Sequence, residues 1–280
     1  MENSKTTINP GPIGVFDSGY GGLTILEEIR KKLPEYDYIY LGDNARTPYG
    51  TRSFDVVYKY TLECVTKLFD MGCHLVILAC NTASAKALRS IQQNDLPEID
   101  PNKRVLGVIR PTIEALNSFS KTKQVGIFAT PGTIQSESYP IEAKKICPEI
   151  TMISEACPMW VPLIENNEHL SPGADYFVQK NISQLLEKEP NIDSIILGCT
   201  HYPLLIPTIK KYMPTHIQII SQGEIVANSL EDYLKRHPEI SIKCTKKGQV
   251  SYFTTESAEK FTSSAALFLN QDIQATHLDL

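Results

Sequence analysis

The chain has 280 residues, of which 42% are hydrophobic and 21% charged, enough to bury a sizeable core and to fold as two compact units of ordinary size. Its formal net charge of -5 argues against nucleic acid as a partner. The longest apolar runs are strand-sized and residues 1–12 are polar, so no membrane association is expected and the protein is expected to be soluble and cytoplasmic.

Ile13-Gly14-Val15-Phe16 reads as a short buried strand that runs into Asp17-Ser18-Gly19-Tyr20-Gly21-Gly22, with a helix predicted over Leu23 to Leu33. Glycines at such a turn let backbone N–H groups approach an anion, a carboxylate as well as a phosphate. A dinucleotide fingerprint is not completed, because its third glycine falls on Thr24, and no Gly-Lys-Ser/Thr follows to make a phosphate loop. A second strand, Tyr38 to Leu41, ends in a polar loop from Gly42 to Gly50 that is either a binding loop or punctuation. The spacing then predicts a helix over Ser53 to Met71, with Ser53 as N-cap and Gly72 as the stop.

Leu75-Val76-Ile77-Leu78-Ala79 is an apolar run that delivers Cys80, Asn81 and Thr82 to a strand-to-helix turn, and a helix is predicted over Thr82 to Gln92. A polar linker, Gln93 to Lys103, leads to a strand over Arg104 to Val108 and a helical segment over Pro111 to Leu116. The pattern then starts again. Val125-Gly126-Ile127-Phe128-Ala129-Thr130-Pro131-Gly132-Thr133 echoes the first strand and its turn, and Ser194-Ile195-Ile196-Leu197-Gly198 delivers Cys199, Thr200 and His201 as the earlier run delivers Cys80. About 63 residues separate Asp17 from Cys80 and about 70 separate Ala129 from Cys199, so one α/β unit is duplicated at domain scale.

Between these points a strand is expected over Thr151 to Ser154, a short helix over Pro158 to Glu165 and a longer one over Gly173 to Glu187. After Cys199 follow a helix over Ile206 to Tyr212, a strand over His216 to Ile220 and a helix over Gly223 to Lys235. Val250 to Thr254 and Ser257 to Leu269 form a closing hairpin or strand-helix unit with no glycine turn and no strand-end cysteine, and it reads as scaffold.

The seven cysteines are odd in number and widely spread, with no Cys-x-x-Cys pair, which suits reduced intracellular thiols. Cys199 and His201 flank a single residue, and Cys73 and His74 are adjacent, so no metal site is expected. Cys64, Cys73, Cys147, Cys157 and Cys244 are assigned to packing, as is Trp160. Two cysteines at matching ends of two duplicated sheets ask for a different explanation. Facing each other across a cleft, they address opposite faces of one carbon, one thiolate removing a proton as the other thiol supplies one. A free thiol has a pKa of roughly 8.5, so each needs a helper: Asp17 for Cys80 and His201 for Cys199.

The motifs Phe16-Asp17-Ser18-Gly19 with Gly21-Gly22-Leu23, Leu41-Gly42-Asp43 with Pro48-Tyr49-Gly50, Ala79-Cys80-Asn81-Thr82-Ala83, and Leu197-Gly198-Cys199-Thr200-His201-Tyr202-Pro203-Leu204 together resemble the glutamate racemase family of the aspartate/glutamate racemase superfamily. The resemblance runs from about Ile13 to the C-terminus. It implies two pseudosymmetric α/β domains with largely parallel sheets and an active site in the cleft between them, residues 1–105 plus 221–280 forming the first domain and 106–220 the second. It implies cofactor-free interconversion of L- and D-glutamate for peptidoglycan synthesis, with no cofactor and a homodimer as the assembly. Cys80 would take the α-proton from D-glutamate and Cys199 from L-glutamate, assisted by Asp17 and His201, with Glu165 a carboxylate near that histidine. Ser18, Asn81, Thr82, Thr130, Thr133 and Thr200 would hold the head group, while Pro48, Tyr49 and Gly50 would line the side-chain carboxylate end. Two segments depart from the family pattern: Arg110 stands before Pro111 where an acidic residue is usual, and Ser221-Gln222-Gly223 replaces a stretch that commonly carries Asp. The other readings are a sister racemase or decarboxylase acting on aspartate, hydantoin or arylmalonate, and a non-catalytic amino-acid-binding protein.

Overall fold

The computed structural model describes residues 9–269 and 272–280. The first sheet contains β1 (Ile13–Asp17), β2 (Tyr38–Gly42), β3 (Leu75–Leu78) and β4 (Arg104–Gly107), and the second contains β5 (Gln124–Ala129), β6 (Thr151–Ala156), β7 (Ser194–Gly198) and β8 (Gln218–Ile220). The closing segment adds β9 (Val250–Thr254) and β10 (Ala275–His277) to the edge of the first sheet beside β2. The order is β10-β9-β2-β1-β3-β4 in one sheet and β6-β5-β7-β8 in the other, and every strand pair in both is parallel. Shifted by four strands, β2-β1-β3-β4 and β6-β5-β7-β8 are the same arrangement. The duplication read from the two cysteine runs is therefore a duplication of topology.

Parallel sheets are covered by helices on both faces, so their strands carry apolar side chains on alternate residues to two different cores. Ile13 and Val15 of β1 join one apolar cluster and Phe16 another; Leu75 and Ile77 of β3 split from Val76 and Leu78 in the same way. In the second sheet Ile195 and Leu197 face the first cluster, while Ile196, Val125 and Ile127 face a third. That first cluster is continuous through both halves, running from Ile13 and Leu26 to Phe128, Trp160 and Leu197.

Local signals explain most helix ends. Ser53 Oγ accepts from Val56 N at 3.4 Å to cap the helix Phe54–Asp70, and Gly72 at φ +94°, a conformation costly for any residue with a Cβ, turns the chain out of it. The segment after Cys80 differs from expectation. The helix Asn81–Lys86 gives way, after a break at Ala87, to a short helix Leu88–Ser90, a π-helical stretch Ile91–Asp95 and a final helix Leu96–Ile99, so most of the expected linker from Gln93 is helical. Pro97 sits in the first turn of that last helix, where its missing N–H leaves no bond unmade. The closing segment is a strand-helix-strand unit rather than a hairpin, with the helix Ala258–Leu269 between parallel β9 and β10. The expected boundary after residue 105 falls inside β4, where Leu106 and Gly107 pair with Ile77 and Leu78.

Candidate active site

Register places the candidate residues at the C-terminal ends of the inner strands of each sheet. Phe16 pairs with Leu78, so Asp17 and Cys80 leave β1 and β3 side by side; Ala129 pairs with Gly198, so Thr130 and Cys199 do the same in the second half. Both cysteines line one cleft between the sheets, together with Ser18, Asn81, Thr82, Thr130, Thr200 and His201. Pro48, Tyr49 and Gly50 form part of the same wall. Asp17, Glu165 and Thr133 do not line it; each acts on a residue that does.

Cys80 caps the helix that follows it, its Sγ accepting from Ala83 N at 3.4 Å and lying 3.4 Å from Ser18 Oγ. Burial, and then the Asp17 charge, push this thiol up to about 12, against the two hydrogen bonds. Asp17 is fully buried, and burial raises its carboxyl although His201, the Gly19 and Gly22 N–H groups and Thr200 all favour the charged form. Its hydrogen bonds come from Gly19 N at 2.9 Å and Thr200 Oγ1 at 3.3 Å, so it reaches the Cys199 side of the cleft through Thr200 and touches Cys80 only through space. The glycine turn thus spends an N–H on its own aspartate. Its second role is clearance: a Cβ on Gly21 would overlap Thr200 Oγ1 and His201 Nδ1 of the other half.

Cys199 has different company. Its Sγ lies 3.9 Å from His201 Nδ1, and His201 Nε2 lies 3.1 Å from Glu165 Oε1. Burial alone would lower the imidazole, but the hydrogen bonds to Cys199 and Glu165 outweigh it and hold the ring up to about 10. These contacts favour the protonated ring, whose Nδ1 faces the thiol. Thr82 Oγ1 lies 2.9 Å from Thr130 Oγ1 and 3.2 Å from Thr133 Oγ1, which joins the threonines of both halves in one hydroxyl cluster. Gly132 N donates to Gly50 O at 2.8 Å beside it.

The loop after β2 lines the cleft and has its own foundation. Buried Asp43 accepts from the Tyr49 hydroxyl, from Arg46 Nε at 2.7 Å and from Thr255 Oγ1 at 2.8 Å, while Arg46 pairs with Glu63 and lies over the Tyr60 ring. With its hydroxyl committed to Asp43, Tyr49 offers the cleft its ring and backbone. Among the described residues no three His, Cys, Asp or Glu side chains converge as metal ligands, and no helix is long and apolar enough to cross a membrane.

The sequence pattern of the Asp/Glu/Hydantoin racemase family matches residues 23–230 of this chain, more than half of it. This chain belongs to that racemase family. It is 41% identical over 271 residues to a glutamate racemase of Ruegeria sp. (strain TM1040), covering 93% of this chain and 97% of that one. Its fold superposes on a glutamate racemase of Bacillus anthracis with a TM-score of 0.87 at 33% identity, covering 96% of this chain and 98% of the other. A glutamate racemase of Francisella tularensis, solved in complex with D-glutamate, gives 0.83 at 32% identity over 97% of each chain.

Several residues at this racemase's site were not assigned to it from the sequence. Cys157, assigned to packing, lines the cleft with Pro158, Val161 and Pro162, and burial raises its thiol well above the ordinary range. Phe268, in the segment read as scaffold, sets its ring edge-on to His201 with centroids 5.4 Å apart. Trp160 is packed as expected, 4.9 Å from Phe128 and 4.8 Å from Tyr202 between ring centroids. The remaining four cysteines assigned to packing, Cys64, Cys73, Cys147 and Cys244, are buried free thiols.

Proposed function

We propose that the protein interconverts L- and D-glutamate by a cofactor-independent, two-base proton transfer. One observation carries the reading: two cysteines at corresponding strand ends of duplicated sheets line a single cleft. In the D-to-L direction the Cys80 thiolate takes the α-proton while the Cys199 thiol gives its proton to the opposite face of the same carbon. The electron pair of the broken C–H bond becomes that of the new one, and the product leaves with Cys80 as thiol and Cys199 as thiolate. The L-to-D direction starts from that state. The His201 imidazolium, held by Glu165, favours negative charge on the Cys199 sulfur; Ser18 and the Ala83 N–H favour it on Cys80, and Asp17 orients Thr200.

In this scheme Ser18, Asn81, Thr82, Thr130 and Thr200 bind the amino-acid head group, with Thr133 supporting the two threonines it touches. Pro48, Tyr49 and Gly50 bound the distal carboxylate end. In this reading one domain is built around each sheet, the chain passing to the second after β4 and returning after β8, with a homodimer as the assembly. The role is to supply D-glutamate to peptidoglycan synthesis in the cytoplasm.

The test is proton NMR in deuterated buffer with reduced protein, no added cofactor, and D-glutamate, L-glutamate or L-aspartate in separate tubes. Loss of the Cα proton with growth of the opposite enantiomer is expected from both glutamates and not from aspartate. Exchange with aspartate alone would move the substrate to a shorter diacid. No exchange in any tube would defeat the racemase reading.

A further inference from the structure

Gln222, in the segment that departs from the family pattern, is 3% exposed and stands just after β8, where the chain returns from the second sheet to the first. Its amide reaches three elements. Oε1 accepts from Asn81 Nδ2 at 2.7 Å, and Nε2 donates to Tyr139 Oη and to Thr112 Oγ1, each at 2.8 Å. Tyr139 in turn donates to Asn81 Oδ1 at 2.6 Å, and Thr112 donates to Val108 O at 2.8 Å.

With the Tyr139 proton on Asn81 and the Thr112 proton on Val108 O, the remaining directions in this ring follow. An amide nitrogen has two N–H bonds and a phenol has one O–H. The Tyr139 proton goes to Asn81, so Tyr139 must accept from Gln222; both Gln222 N–H bonds are then used, and its oxygen is free only to accept from Asn81. Burial pushes the Tyr139 phenol well above its ordinary range, so its proton stays in place. Asn81 is left with its amide orientation determined and one N–H bond uncommitted, on a side chain that lines the cleft beside Cys80.

We infer that Gln222 is a positioning residue: with Tyr139 it locks the Asn81 amide so that the remaining N–H is presented to the carboxylate of the bound amino acid. The inference rests on the proposed reaction. The ring also spans the two places where the chain crosses between sheets, since Thr112 follows β4 and Gln222 follows β8, so head-group recognition is built on the joint between the halves. A hydrogen bond to a charged group contributes enough that its misalignment is read directly as affinity.

The test is a thermodynamic cycle on D-glutamate binding, titrated by calorimetry in a Cys199→Ser background, in which racemisation is expected to be slow against the titration. Gln222→Met is expected to weaken binding about tenfold, a loss that comes through Asn81. Asn81→Ala should weaken it at least as much, and the double variant no more than Asn81→Ala alone. Tyr139→Phe, which deletes one hydroxyl, should behave as Gln222→Met does and carries the test if Gln222→Met fails to fold. A merely structural role would give losses that add in full on the Asn81→Ala background. Such additivity, or a Gln222→Met loss under twofold, overturns the inference while leaving racemisation by the wild-type chain intact. Absence of both D-glutamate binding and wild-type exchange defeats the reaction and the inference together.

Discussion

Cys80 and Cys199 occupy corresponding positions after β3 and β7, yet their neighbours differ in kind. Cys80 has a hydroxyl and a backbone N–H, both neutral, and a buried carboxyl whose charge works against its thiolate. Cys199 has a histidine whose charged form its surroundings favour, with a carboxylate behind it. Duplication copied the strand ends and left the electrostatics unlike. For a racemase this difference meets a thermodynamic limit: enantiomers have equal free energy in an achiral solvent, so kcat/KM must be identical in the two directions whatever the two sides contain. The asymmetry can appear only in kcat and KM taken separately.

The comparison is broken most completely by removing either thiol. Cys80→Ser and Cys199→Ser should each lower racemisation by about 10²–10⁴-fold, and by the same factor in kcat/KM from D- and from L-glutamate, measured by polarimetry. A variant that slowed one direction alone in kcat/KM would be incompatible with a single reversible reaction.

The next largest effect belongs to the imidazolium. His201→Asn should cost on the order of 10²-fold in kcat/KM and lack the decline in rate above about pH 10 that is expected of the wild type. The same ring contributes to stability. Its folded value lies above the ordinary 6.5, so the contribution is full below about pH 6.5 and is lost as the pH rises through about 10. The melting temperature of the wild type should therefore fall toward that of His201→Asn across this window, followed by calorimetry.

Glu165→Gln sharpens the comparison further, because it leaves the ring in place but removes the charge behind it. The expected loss is about tenfold, with the alkaline limb moved toward neutrality in the pH–rate profile. The smallest effect is expected at Ser18→Ala, which removes a neutral partner of Cys80. The thiol should rise further and the rate at neutral pH fall by roughly two- to fivefold; a loss as large as that of His201→Asn would show that the two sides are not as unlike as their contacts.

The strand ends, with Asp17, Cys80 and Cys199 at them, were legible because each depends on local pattern: an apolar run long enough for a buried strand, then Cys or Asp at the turn. Ser53 and Gly72 were legible for the same reason. The other wall residues were named through the family resemblance. What lay outside reach were contacts between distant segments that leave no periodicity behind. Phe268 meets His201 across 67 residues, and Gln222 meets Asn81 across 141. Gly21 was read as a donor turn, whereas its main service is the space it leaves for Thr200 and His201. Asp17 was paired with Cys80 on the ground that adjoining strands end together, and the register agrees; its hydrogen bonds nevertheless cross to Thr200 because the second half closes over it.

The apolar cluster shared by both halves has a consequence for how the molecule comes apart. Ile13, Leu26, Phe128, Trp160 and Leu197 belong to one dry interior, so excising either sheet with its helices would strip cover from the other. The copied unit is not packed as a self-sufficient module: part of the apolar cover of each version is shared with the other, and the cleft lies where the two meet.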